Sequence, residues 1–224
     1  MSSPLLSKTK ILKQLHDLGW QGQSLSDKAH VHIFTKEITP LMCSLRLNVD
    51  QHNHHFPISD QLIDSILAIS SELNINETDQ DDHNALWYCY YPKHVALMVQ
   101  HGIDIHHQRA STGLSFLNEL LSNPPAIPFL DGVEIESFNI EELEKLKELK
   151  EFEFYQEEFE ELEEYKTNLN TLIQAGAQID NQIYLNLEDH WKKYLDILLS
   201  NKQKNDLNIK LTHVSPPIKT KTRL

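Results

Sequence analysis

The chain has 224 residues, a net charge of -13, 40 % hydrophobic residues and 24 % charged ones, a composition for a soluble protein of one domain or two small ones. Its acidity argues against nucleic acid or anionic membrane as partners, and no apolar run approaches the roughly 18 residues needed to cross a bilayer. With only six glycines and no G-x-G-x-x-G or G-x-x-x-x-G-K-[ST], nucleotide cradles of the Rossmann or P-loop kind are excluded; Met1–Trp20 lacks the apolar centre of a secretory signal, and the chain reads as cytoplasmic.

Leu5, Leu6, Ile11, Leu12, Leu15 and Leu18 recur near the helical period, which predicts an N-terminal capping helix with Trp20 anchoring the turn after it. In "EITPLMCSL", Glu37 to Leu45, Thr39 is an N-cap and Pro40 stands at the first helical position. "ILAISSELNIN", Ile66 to Asn76, reads as a helix running into a loop. Asn84 caps "ALWYCYY"; Pro92 stops that helix and opens "KHVALMVQH"; Gly102 sits where a left-handed C-cap is wanted. Each of these two helices has about two turns, too few to stand alone in water. Burial against neighbours is the logic of a stacked repeat.

The unit recurs. "STGLSFLNELL", Ser111 to Leu121, offers Ser111 or Thr112 as cap. Leu172, Ile173, Gly176 and Ile179 match Met98, Val99, Gly102 and Ile105. Between them lies an acidic insertion: Asp131 to Glu164 holds 15 acids and 3 lysines, nearly all of the net charge. Within it Leu143, Leu146, Leu149, Phe152, Tyr155, Phe159 and Leu162 are spaced by three and four, which predicts one long amphipathic helix or two. "NPPAIPFLDGVEIESFN" is its lead-in loop. Trp191, Leu195, Leu198 and Leu199 share the face of a C-terminal capping helix.

"TPLMCSL" resembles the T-P-L-H-x-A opening of ankyrin repeats, and "MVQHGIDIHH" and "LIQAGAQIDN" resemble their ending. The resemblance covers roughly Glu37 to Asn181, and the small alanines of the family's first helix are replaced by bulkier residues. It implies an all-α, ankyrin-like solenoid over residues 1–209: an N-terminal cap at 4–33, repeats at 34–82, 83–110 and 111–182 with the acidic insertion at 122–165, and a C-terminal cap at 183–209. Residues 210–224, with "SPPIKTKTRL", are expected to be disordered.

Such stacks present a surface and need no chemistry of their own, so no catalytic residue, metal or cofactor is expected. Trp87, Tyr88, Tyr90 and Tyr91 cannot all be buried on one short helix, and Trp and Tyr are common at binding hot spots. The resemblance places Asp79, Asp81, Asp82, His106, His107 and Arg109 at loop tips beside them. Trp87, Tyr88, Tyr91, those six residues and the acidic Glu157, Glu158 and Glu161 form the expected partner-binding set. The expected partner is a basic protein, and the acidic chain looks like the ankyrin-type immunity proteins that block bacterial toxins. Two alternatives stand: a non-inhibitory scaffold, and a metalloenzyme built on His52, His54, His55, His106 and His107. No zinc-type spacing supports the latter. Cys43 and Cys89 read as packing thiols.

Overall fold

The computed structural model describes residues 4–31, 34–46, 48–49, 55–56, 59–69, 73–89, 91–125, 129–130, 133–134 and 152–214, with backbone alone at 34–35, 48–49, 55–56, 129–130, 133–134, 152–159, 208 and 210–214. The chain is mostly helical, 58 % helix against 6 % strand. Strand is a minor addition to the expected all-helical fold and, among the described residues, forms three two-stranded antiparallel ribbons. These are β1 (Ala29–Val31) with β2 (Phe34–Ile38), β3 (Asn48–Val49) with β4 (His55–Phe56), and β5 (Phe129–Leu130) with β6 (Val133–Glu134). In β1 burial alternates, as a half-buried strand requires.

α1 (Lys8–Asp17) buries Ile11 and Leu15. Its C-terminus closes on Gly19 at φ 85°: the Gly19 amide donates to His16 and the Trp20 amide to Leu15. α4 (Pro92–Gln100) ends in the same way, Gly102 donating to Val99 and Ile103 to Met98. So does α6 (Phe152–Ala175), Gly176 donating to Ile173 and Ala177 to Leu172. All three are Schellman caps, in which the residue after the glycine packs on the residue five positions before it. Trp20, Leu15, Ile103, Met98, Ala177 and Leu172 are accordingly all buried. The match between Met98–Gly102 and Leu172–Gly176 holds at the level of individual hydrogen bonds, and "LHDLGW" at the end of α1 is a third copy of the same device.

Five N-termini are also built alike. Thr39 accepts the Met42 amide ahead of α2 (Pro40–Leu45), Ser59 the Leu62 amide ahead of α3 (Asp60–Ala68), and Asn84 the Leu86 amide ahead of a 3-10 helix at Ala85–Tyr88. Ser115 caps α5 (Phe116–Ser122), and Asp180 caps α7 (Asn181–Asn186). α8 (Asp189–Val214) follows. α1 packs on α2 and α3, α2 on α3 and on the 3-10 helix, the 3-10 helix on α4, α4 on α6, α6 on α8, and α5 on α7. One buried cluster runs from Ile11 to Leu198 through these contacts.

The structure departs from the sequence reading in four places. "ALWYCYY" forms only a single 3-10 turn, because Cys89 and Tyr91 are extended (ψ 109° and 143°) and a residue before proline is barred from helix. The third cap is Ser115 and not Ser111 or Thr112; residues 109–114 instead close a tight turn, with the Gly113 amide donating to Arg109 and the Arg109 amide to Leu114. From Phe152 onward the acidic segment continues without interruption into the helix ending at Ala175, so there is no helical break at 165, where the insertion was expected to end. α8 continues to Val214, into the region expected to be disordered. Residues 215–224, Tyr90, His52 and His54, and 135–151 of the acidic segment lie outside the described residues.

Trp20 is 1 % exposed and donates from Nε1 to the Ile38 carbonyl at 3.1 Å. A Cβ on Gly22 would fall within its ring, whereas a Cβ on Gly102 would meet no neighbour and suffer only from the positive φ. Gly22→Ala is expected to cost about 2 kcal/mol through overpacking, and Gly102→Ala about 1 kcal/mol through backbone strain. Urea denaturation of the two variants measures both, and the larger loss belongs to Gly22→Ala.

Candidate functional site

The loop between α3 and the 3-10 helix is organised by one carboxylate. Asp79 Oδ1 accepts the amides of Asp81 and His83 at 2.9 and 2.8 Å, and Oδ2 accepts the Tyr88 hydroxyl at 2.6 Å with His83 Nδ1 at 3.2 Å. Burial pushes this carboxyl up, but the bonds from Tyr88 and the His83 amide, with the His83 charge, outweigh it and hold its pKa below the usual value. Burial, and then the bond to Asp79, pushes the Tyr88 phenol well above its usual value. Asp79, expected at a loop tip, is therefore buried and structural, and Tyr88 is committed to it.

The next loop, Asp104–Ser115, lies against the first. The Asp104 amide donates to Asn76 Oδ1 at 2.6 Å, and the Ala110 amide to Asp82 Oδ2 at 2.9 Å; each pair is 28 residues apart. His107 Nε2 lies 2.8 Å from the Asp82 carbonyl. Asn84 Nδ2 donates to the Asp104 carbonyl at 2.9 Å. Asp82 takes the left-handed conformation, φ 63°, which an Asp tolerates better than most residues. The two loops are thus tied to each other, with Asp81 and His106 exposed at their tips. Asp81 forms an ion pair with Lys36.

Trp87 stands at the foot of both loops, half-buried. Its ring centroid lies 5.5 Å from His83, 5.8 Å from His107 and 5.4 Å from Phe116. Nε1 donates to Glu119 Oε2 at 3.2 Å, and Arg109 Nη1 reaches both Glu119 oxygens at 2.9 and 3.1 Å. Trp87, Asp82, His107 and Arg109 of the expected set are brought together here. His83, Phe116 and Glu119 were missed; Glu119 looks like one more helix-surface acid in "FLNELL", and only the fold brings it under the Trp87 indole.

Tyr91 is not part of this cluster. It lies at the far end of the 3-10 segment and lines a groove of about 620 Å³ with Glu160, Glu161 and Glu164 of α6. Glu157 and Glu158 are on the same helix, but their side chains lie outside the described residues.

Asp79, Asp81 and His83 offer ligand atoms within 4.8 Å of one another. Both Asp79 oxygens are already taken by donors and Asp81 by Lys36, so the arrangement is a hydrogen-bonded turn and not a vacant metal nest. His107 Nε2 is committed to Asp82, and His106 is exposed. Cys43 is buried and Cys89 partly so; burial pushes their thiols up to about 11 and about 12, the opposite of what a nucleophile needs. No helix among the described residues is long and apolar enough to cross a membrane. Comparison with family models, curated proteins and solved structures gave no match.

Because the Asp79 pKa is lower folded than unfolded, its contribution to stability is complete above the unfolded value, about pH 4, and is lost as pH falls through the folded value. Asp79→Ala strands the Tyr88 hydroxyl and two amides and is expected to cost about 2 to 3 kcal/mol at neutral pH. Denaturant titrations between neutrality and pH 2 should show this gap closing on the acid side.

Proposed function

We propose that the chain is a degenerate ankyrin-like stack that binds another protein and acts by occupying its surface. The cap-to-cap spacings are irregular, but three features support the stack. Three helix ends repeat one hydrogen-bond pattern, one pair of adjacent loops is tied by two bonds at the same 28-residue offset, and helices pack on the next or the next-but-one helix in chain order. Asn118 adds a fourth. It stands three residues after the Ser115 cap, where the ankyrin-type opening carries histidine. Its Nδ2 donates to Ser115 Oγ and to the Gln178 carbonyl, and its Oδ1 accepts the Asp180 amide. One side chain thereby fastens a cap to the following loop.

The observation that carries the binding reading is Trp87. A half-buried indole, held by Glu119 and flanked by His83 and His107 beneath two mutually fastened loops, is a rigid anchor that needs little ordering on binding. The acidic α6 selects a basic partner. Steric inhibition of such a partner, as an immunity protein blocks a toxin, is the specific form of the proposal.

The test is affinity purification at low ionic strength followed by quantitative binding. A basic protein is expected, with affinity that falls as salt rises. Trp87→Ala should weaken it by about 2 kcal/mol, roughly thirtyfold, and His106→Ala at the exposed tip should weaken it less. Circular-dichroism melts establish that the variants are folded. Recovery of no stable partner, or binding indifferent to Trp87 and to salt, sinks the reading.

A further inference from the structure

We propose that the outer face of α8 pairs antiparallel with the same face of a second copy of this chain, making a twofold dimer. This pairing goes beyond the partner-binding reading and uses none of the Trp87 cluster. The inner side of α8 is spent within the chain: Trp191, Leu195 and Leu198 are buried, and α8 packs on α6. At ~100° per residue, Ile197, Lys204 and Leu207 fall within about 80° of one another on the opposite side.

That side is apolar where solvent meets it. Ile197 is 53 % exposed and Leu207 59 %. Leu185 of α7 is 62 % exposed, and the hydroxyl of its neighbour Tyr184 donates to Asp196 at 2.8 Å, which holds α7 beside Ile197. Three of the five large apolar side chains exposed among the described residues thus gather along one edge. Single exposed apolar residues are ordinary, whereas a row of them marks an interaction surface. Further on, every residue from Gln203 to Leu207 is exposed. Five residues turn through more than a full circle, so this stretch of α8 has no covered side.

Charge selects the occupant. The Tyr194 hydroxyl donates to the Lys166 carbonyl and Lys202 Nζ to the Gln174 carbonyl, both 28 residues apart, and the Tyr165 and Trp191 rings lie 5.0 Å apart. α6 and α8 therefore run parallel. One end of the pair, residues 160–166 and 188–193, holds six acids and three lysines; the other end, 202–214, holds three lysines and one aspartate. At 1.5 Å per residue Leu207 lies roughly 27 Å along α8 from Asp189, so the basic end cannot fold back on the acidic end of its own chain. A second copy laid antiparallel brings each basic end to the other's acidic end, twice over, in a closed contact of like surfaces. The axis then passes beside Ile197, midway between Asp189 and Leu207, and each Leu207 comes level with the chain just ahead of the other copy's α8, where Leu185 is exposed.

The test is sedimentation equilibrium of the full chain, which is expected to show dimer at about 100 μM. Leu207→Gln should weaken it about tenfold, because two leucines leave the contact, and Lys204→Glu about fivefold, because two charge pairs turn repulsive. Both positions are exposed, so the variants should melt as wild type. Ile197→Cys, beside the axis, should give a disulfide-linked dimer on mild oxidation, since its Cβ meets its own copy; Leu5→Cys, equally exposed but outside this face, should not. A monomer throughout, a dimer indifferent to Leu207→Gln and Lys204→Glu, no cross-link at 197, or assembly beyond a dimer would each overturn the pairing. Trp87→Ala should leave the dimer unchanged. A dimer with no basic partner sinks the inhibitor reading alone, and a partner bound by a strict monomer sinks the pairing alone.

Discussion

Helices of six to nine residues, such as α2, α3, α4, α5 and α7, cannot hold themselves together in water, and the rest of this molecule follows from that constraint. Each of them has one end closed by a side-chain or glycine cap, and α4, which starts at Pro92, has no side-chain N-cap. Thr39, Ser59, Asn84, Ser115 and Asp180 close the N-termini with side-chain acceptors. The glycine caps after α1, α4 and α6 close C-termini and, in the same step, fold an apolar residue back onto the helix. An end left open in so short a helix would leave a large share of its backbone groups without partners.

Closing the ends also fixes the loops. Asn76, Asp82, Asn84 and Asn118 each spend a polar side chain on the backbone of the following loop. Such bonds hold the loops without a continuous sheet beneath them. They account for the burial of Asn84 and Asn118 at 0 % and 6 % exposure, since a buried amide is tolerated only when paired. Two edges of the molecule are left with distinct characters. At the loop edge, Trp87 is locked among His83, His107, Phe116 and Glu119. At the other edge, α6 brings three glutamates beside two tyrosines.

Much of this was legible in the residues. The cap at Thr39–Pro40, the cap at Asn84, the break at Pro92 and the glycine ends at 102 and 176 follow from local stereochemistry that tertiary contacts seldom override. Where reading failed, a local signal had a competitor. Ser111, Thr112 and Ser115 are all chemically fit to cap, and the choice fell to Ser115 because Gly113 lets the preceding chain turn back on Arg109. "ALWYCYY" has the apolar content of a two-turn helix, yet the extended backbone at Cys89 and Tyr91 ahead of Pro92 limits it to one turn.

The candidate site was half legible. Trp87, His107 and Arg109 stood out by residue type, and Asp79 stood out for a surface role it does not have. No periodicity distinguishes an aspartate that organises a buried turn from one that meets solvent, because the difference lies in whether Tyr88 and the His83 amide come within reach. By itself, then, the sequence determined several of the helix ends, among them Thr39–Pro40, Asn84, Pro92, Gly102 and Gly176, and that the charge is concentrated in one segment, since capping, proline and charge act within a few residues of chain. Only the tertiary structure decided which carboxylates are buried, which indole is held and by what, and which glutamates face a groove, because those outcomes depend on residues tens of positions apart arriving at the same place.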